Sequence, residues 1–253
     1  MDKRLVAFER LLNIMDDLRA KCPWDKKQTI ESLRHLTIEE TYELADAIIE
    51  KDMQEIKKEL GDLMLHIVFY AKIASESNAF DITDVLNSIC DKLIERHPHI
   101  YGDVDVKDEE EVKANWEKIK LKTGNKSVLG GVPKSLPSMV KAIRIQDKAR
   151  GVGFDWENKE QVWEKLQEEL SELKHEVDHS TDRIEEELGD VIFSIINYAR
   201  FLNLNPEDAL EKTNKKFIKR FHYMEEKIQS KGLQISDLKL EELDKYWDEA
   251  KSI

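Results

Sequence analysis

Apolar residues recur at intervals of three and four along almost the whole chain, a period that predicts helices and no strands. Leu5, Phe8, Leu11, Leu12, Met15 and Leu18 set a first helix over residues 3–20, and CPWD at 22–25 ends it, because Pro23 lacks an N–H donor and restricts the residue before it. A second helix runs to about residue 49 through TIEETYELADAI, and a third, KKELGDLMLHIVFYAKIA, falls within 53–74. Further on, KLQEELSELKHEV at 165–177 places Leu166, Leu170, Leu173 and Val177 on one stripe, with Lys165, Glu169 and Glu172 on its flank. The segment 182–202, DRIEEELGDVIFSIINYARFL, is apolar nearly all round from Val191 onward and is expected to be buried. Yet Arg183, Glu187, Asp190 and Ser194 cut a polar stripe down it, and Asp182 with Glu185 reads as a capping box at its start. Further helices are expected over 139–150, 207–231 and 236–251. The fold class is all-α.

Glu169 with Glu172, and Glu187 with Asp190, are i,i+3 pairs, so each helix offers two carboxylates roughly 5–6 Å apart on one face. A buried, unpaired carboxylate is costly. Packed antiparallel, the two helices would form a four-carboxylate cage for a hard divalent cation, with magnesium the expected ion. The same pattern occurs earlier. Glu40 and Glu43 recur 129 positions later as Glu169 and Glu172, and Glu59 and Asp62 recur 128 positions later as Glu187 and Asp190. Lys92 and Arg96 recur as Lys216 and Arg220 at an offset of 124, and Trp116 and Lys120 as Trp247 and Lys251 at 131. Offsets that drift by a few residues over four helices are those of a duplicated domain with small loop changes. The expected division is a first repeat over 1–122, a linker over 123–137, where Gly, Ser and Pro concentrate, and a second repeat over 138–253. GVGFDW, 151–156, occupies the place of CPWD.

A lone EExxE most often forms a solvated helix face, and Glu109 to Glu111 read as such a run; duplication of both carboxylate pairs argues against that reading for the cage. Charged residues make up 37% of the 253, with only 9 Gly and 5 Pro, which fits long amphipathic helices. A net charge of −13 argues against a nucleic-acid surface. Cys22 and Cys90 are the only cysteines, so no disulfide framework is implied and a reducing cytoplasm is the expected setting. No apolar run is long enough for a membrane span, and the charged N-terminal helix does not read as a signal peptide. A ferritin-like di-metal oxidase would need two Glu-x-x-His motifs. Glu172 and His175 supply one, but Asp46 stands where His175 would align in the first repeat. The other alternative is a non-catalytic helical scaffold that holds nucleotide or metal. His66, one turn after Asp62, has Ser194 as its counterpart and is expected to hydrogen-bond.

CPWDKKQT, EETYE, ELGD, ERHPHIYGD, LGGVPKSLPSM, KARGVGFDW, EELSE and a second ELGD together carry a resemblance: the chain resembles full-length, two-repeat MazG nucleoside triphosphate pyrophosphohydrolases. The resemblance implies four-helix units that dimerise, magnesium dependence and hydrolysis of nucleoside triphosphates to monophosphate and pyrophosphate. Broad base preference and a place in nucleotide-pool control or house-cleaning are expected, although nothing in the sequence reports a base-edge pocket. The expected metal ligands are Glu169, Glu172, Glu187 and Asp190, with Glu169 or Glu168 as the base for the attacking water. Lys165, Arg183, Glu186, Lys216 and Arg220 are candidate substrate contacts, and Trp247 can stack on a base with Lys251 beside it, though a tryptophan there is more often a core anchor. Lys165 aligns with Leu36, Arg183 with Glu55 and Glu186 with Lys58, so the first copy is expected to lack two cations near its cage. Its cage of Glu40, Glu43, Glu59 and Asp62 is therefore expected to be non-catalytic, and the repeat structural or regulatory.

Overall fold

The computed structural model describes residues 2–108, 111, 112, 115, 116, 119 and 127–252. Glu109, Glu110, Lys120 and the opening of the expected linker, 123–126, lie outside them. Among the described residues the regular structure is ten α-helices with defined bounds, further helical residues at 111, 112, 115, 116 and 119, and three short 3-10 turns, with no strand. The chain divides into two compact units, Met1–Lys107 and Asp108–Ile253.

In the first unit α1 spans Lys3–Lys21, capped by the Asp2 side chain, and stops at Cys22 before Pro23. After a 3-10 turn at Asp25–Lys27 come α2, Ile30–Glu50, α3, Met53–Glu76, α4, Ile82–Arg96, and the single turn α5, Pro98–Tyr101. Thr29 and Ser32 close a capping box on α2, as Asp81 and Asp84 do on α4. Met15 from α1, Leu33 from α2, and Val68 and Phe69 from α3 form the core, with Leu11, Leu12, Leu36 and Tyr70 packed around them. The second unit carries α6, Ser138–Arg150, α7, Lys159–His179, α8, Ile184–Phe201, α9, Pro206–Ser230, and α10, Leu240–Ala250. Here α7 packs along α8, α6 lies on α8, and α9 pairs with α10. Val162, Leu166, Val191, Ile196, Met224 and Ile228, with the smaller Ala142 and Ala250, are its buried apolar residues.

The duplication is visible in the backbone. Among the described residues four non-glycines have positive φ: Lys51 (59°) and Ser180 (51°) end the equivalent helices α2 and α7, while Asn78 (55°) and Asn203 (56°) follow α3 and α8. A left-handed residue at a helix end lets the last carbonyls find N–H partners, and Ser180 N–H reaches the carbonyls of Glu176 and Val177.

Two expectations are corrected. The capping box of Asp182 and Glu185 does not form: Asp182 and Arg183 make a turn, α8 starts at Ile184 without a side-chain cap, and the Thr181 hydroxyl accepts the Arg183 N–H at 3.2 Å. Nor is the apolar face of α8 fully covered within its own unit. Leu188, Ile192 and Ile195 are each 46–47% exposed, because α6, α7 and α9 shield only part of its circumference.

Candidate active site

The α7–α8 hairpin brings carboxylate oxygens of Glu169, Glu187 and Asp190 within 4.8 Å of one another. Glu169 and Glu187 are buried and Asp190 is exposed, so the cluster opens to solvent on the aspartate side. Glu172 is exposed; with Glu168, Ser171, His175, Glu176, Arg183 and Glu187 it lines an adjoining cavity of about 410 Å³. Burial pushes the Glu187 carboxyl up, Arg183 pulls it back, and the negative charges of Glu172 and Asp190 push it up again. Such a set of hard oxygen donors, two of them buried, suits a hard divalent cation, which would relieve the crowding of like charges.

Two cations already sit on this cluster. Lys165 Nζ lies 2.8 Å from Glu168 Oε1 and 2.9 Å from Glu169 Oε1, and these carboxylates hold its ammonium well above the usual lysine range. Arg183 Nη2 meets Glu187 Oε1 at 2.5 Å, and its Nε is 3.4 Å from Glu186 Oε2. Lys216, Arg220, Trp247 and Lys251 lie on or at the end of the α9–α10 pair. There Trp247 is half-buried with its ring 4.9 Å from that of Phe217, and Lys251 pairs with Asp248 at 2.7 Å.

The first unit repeats the cluster with Glu40, Glu43 and Glu59, again within 4.8 Å. Burial, then the charges of Asp62, Glu43 and Glu59, push the Glu40 carboxyl up, which places Asp62 beside the same cluster. Glu59 is buried and its Oε2 has no hydrogen-bond partner, an orphaned atom that a cation would satisfy. Lys58 Nζ stands 2.9 Å from Glu59 Oε1 and 3.3 Å from Glu55 Oε2. Of the two cations that Leu36 and Glu55 replace, one is made up in part by Lys58, which stands opposite Glu186 in the alignment. Arg183–Glu186 has become Glu55–Lys58, an i,i+3 ion pair with its charges exchanged, and in each copy the cation reaches the buried glutamate one turn or less away. The cation truly absent is Lys165, whose counterpart Leu36 packs on the core.

A second cavity escaped the sequence reading. Beside the cage, Trp156, Val162, Lys165, Glu169, Asp190, Phe193, Ser194 and Asn197 line a space of about 170 Å³. Trp156, Phe193 and Asn197 also line its larger neighbour, about 490 Å³, together with Gln146, Phe154 and Arg200. GVGFDW was visible as a motif, and the offset of 128 that sets Asn197 against Phe69 was the signal that a core position had turned polar.

The MazG nucleotide pyrophosphohydrolase domain matches this sequence twice, over residues 28–101 and 157–224, so that each match contains one of the two carboxylate clusters. A nucleoside triphosphate pyrophosphohydrolase/pyrophosphatase MazG of Thermotoga maritima is 48% identical over 97% of this chain and 96% of its own length. A nucleoside triphosphate pyrophosphohydrolase of Escherichia coli K12 is 40% identical over 96% and 97%. An uncharacterized protein YabN of Bacillus subtilis is 44% identical over 96% of this chain and 51% of its own length. Matched on both halves and along its length, with both clusters inside the matched segments, the chain is a member of the MazG nucleotide pyrophosphohydrolase family.

Proposed function

We propose that the protein hydrolyses nucleoside triphosphates to the monophosphate and pyrophosphate in a magnesium-dependent reaction on the second unit. The observation that carries this reading is the cluster of Glu169, Glu187 and Asp190 with Lys165 and Arg183 already on its carboxylates. Glu169, Glu172, Glu187 and Asp190 would hold Mg²⁺, which when bound neutralises charge between carboxylates and phosphates and acidifies water. Lys165 and Arg183 then exchange carboxylate for phosphate oxygens, with Glu186 retaining the guanidinium's orientation. Lys216, Arg220 and Lys251 add positive charge for the phosphate chain. Glu169, or Glu168 on the exposed side, accepts the proton of the attacking water. The exposed apolar strip of Leu170, Leu188, Ile192 and Ile195 supports a homodimer. Among the described residues no helix is long and apolar enough to cross a membrane, and we place the enzyme in the cytoplasm, in control of the nucleotide pool.

The test is incubation of the purified chain with each ribo- and deoxynucleoside triphosphate and Mg²⁺, with product identification. Monophosphate and pyrophosphate are expected, and chelation of the metal should stop their release. Diphosphate with orthophosphate, or no turnover of any nucleotide, would refute the reading and favour a non-catalytic scaffold.

A further inference from the structure

We propose that Glu40, Glu43, Glu59 and Asp62 of the first unit hold a divalent cation in the absence of any nucleotide, as a structural clasp between α2 and α3. Carboxylate oxygens of Glu40, Glu43 and Glu59 lie within 4.8 Å of one another, and Asp62 follows Glu59 by three residues on the same face of α3.

The observation that separates this cluster from a solvated acidic face is Glu59. The residue is 2% exposed. Its Oε1 accepts from Lys58 Nζ at 2.9 Å, while its Oε2, equally shut off from water, has no hydrogen-bond partner. The cluster around it consists of carboxylates, which accept and do not donate when ionised. A buried ionised oxygen without a donor is costly, and a cation among the four acids supplies what Oε2 lacks. Among the described residues it is the one carboxylate oxygen in this state.

The second unit is compensated differently. Lys165 Nζ lies 2.9 Å from Glu169 Oε1, and Arg183 Nη2 sits on Glu187 Oε1. A free divalent cation entering there meets two positive groups that must first turn away. In the first unit Leu36 takes the place of Lys165 and packs on the core, so no lysine stands over Glu40 as Lys165 stands over Glu169. Lys58 remains, but its side chain is 58% exposed and shared with Glu55, and its long stem lets the ammonium turn to water at little cost. Four acids in the first unit thus face one exposed ammonium, where the same four positions in the second face an ammonium and a guanidinium. The first cluster therefore takes a free cation more tightly than the second does. Its donors are all carboxylate oxygens, which suit Mg²⁺, Mn²⁺ or Ca²⁺. Two come from α2 and two from α3, so a bound ion ties the helical hairpin and stabilises the folded unit by mass action.

The test uses neither nucleotide nor turnover, so its outcome is independent of the enzymatic reading. The full chain, stripped of metal, is titrated with Mn²⁺ while the free ion is followed by electron paramagnetic resonance, and thermal unfolding is recorded with and without Mg²⁺. The proteins are the wild type, Glu59→Gln, Glu43→Gln and Glu187→Gln. A single tight Mn²⁺ per chain is expected, displaced by Mg²⁺. Removal of one charged ligand should weaken it at least about tenfold in Glu59→Gln and in Glu43→Gln, and Glu187→Gln should keep it. Mg²⁺ should raise the unfolding temperature of the wild type and not that of Glu59→Gln. An amide at position 59 can donate to the neighbouring carboxylates, so in stripped buffer this variant should unfold no lower than the wild type. Glu43 is exposed, and its variant decides the matter if Glu59→Gln does not fold. The proposal is overturned if the stripped chain binds no Mn²⁺ tightly, if the tight ion survives both first-unit substitutions, or if Glu187→Gln removes it.

Discussion

Glu187 and Glu59 are equivalent buried carboxylates, and each is met by a cation from an i,i+3 pair whose signs are exchanged between the copies. The alignment displayed the exchange of Arg183 with Glu55 and of Glu186 with Lys58, but not that Lys58 reaches Glu59. Which charge lies on a buried glutamate depends on side-chain length and rotamer, not on sequence spacing. The polar partner of His66 was similarly hidden: Thr37 Oγ1, from α2, lies 2.9 Å from His66 Nδ1 and 2.7 Å from the Tyr70 hydroxyl. Burial pulls the His66 pKa down, only partly opposed by Asp62. The unfolded chain, with its histidine near about 6.5, then binds a proton that the folded chain refuses. This part of the stability is present above the unfolded pKa and is lost as the pH falls through the lower folded value. Urea unfolding of the wild type should therefore weaken between pH 8 and pH 5 more than that of His66→Gln. Parallel pH profiles for the two proteins would exclude the histidine as the cause.

At the scale of elements, the helices were legible because apolar period and breakers agree: Pro23 does end α1, and α3 does begin at Met53. What the period could not give is how the loop after α1 is held. Arg19, 13% exposed at its side chain, donates through Nη1 to the carbonyls of Asp25 and Gln28 and through Nε and Nη2 to Glu76 at 2.8 Å each. Arg19→Met would take the guanidinium donor from the Gln28 carbonyl and leave the Asp25 carbonyl with the Gln28 N–H alone, and an unsatisfied buried acceptor costs about 1–3 kcal/mol. Glu76→Gln removes only an ion pair open to solvent, worth about 0–1 kcal/mol. Denaturant unfolding should rank Arg19→Met clearly below Glu76→Gln. Equal losses would show that the ion pair, not the carbonyl ties, holds the loop. The Arg19 guanidinium also keeps the Glu76 carboxyl below its ordinary range, so the contribution of that pair is present above about pH 4.3 and is lost as the pH falls through the folded value.

For the whole molecule, the duplication and the two carboxylate clusters were readable because carboxylate spacing survives in both copies. The cavity was not readable, because it is made by α6, the GVGFDW loop and α8 together, three segments that the period treats separately. The open apolar strip predicts that the purified chain scatters light as a dimer at micromolar concentration; a stable monomer of 29.6 kDa would contradict this. The asymmetry between the copies lies in Leu36 in place of Lys165, which in the proposed function removes a cation for the phosphates, and in Phe69 in place of Asn197, which is solid core where the second unit has a cavity wall. On the proposed reading the first unit keeps carboxylates fit for a metal but has no counterpart of the Lys165 cation, and we assign it a structural or regulatory role. The most direct measurement is pyrophosphate release by Glu169→Gln and Glu40→Gln, the same helix position in the two copies, each checked for native helical circular dichroism. The account predicts that Glu169→Gln loses turnover while Glu40→Gln keeps most of it; equal loss from the two substitutions would contradict it.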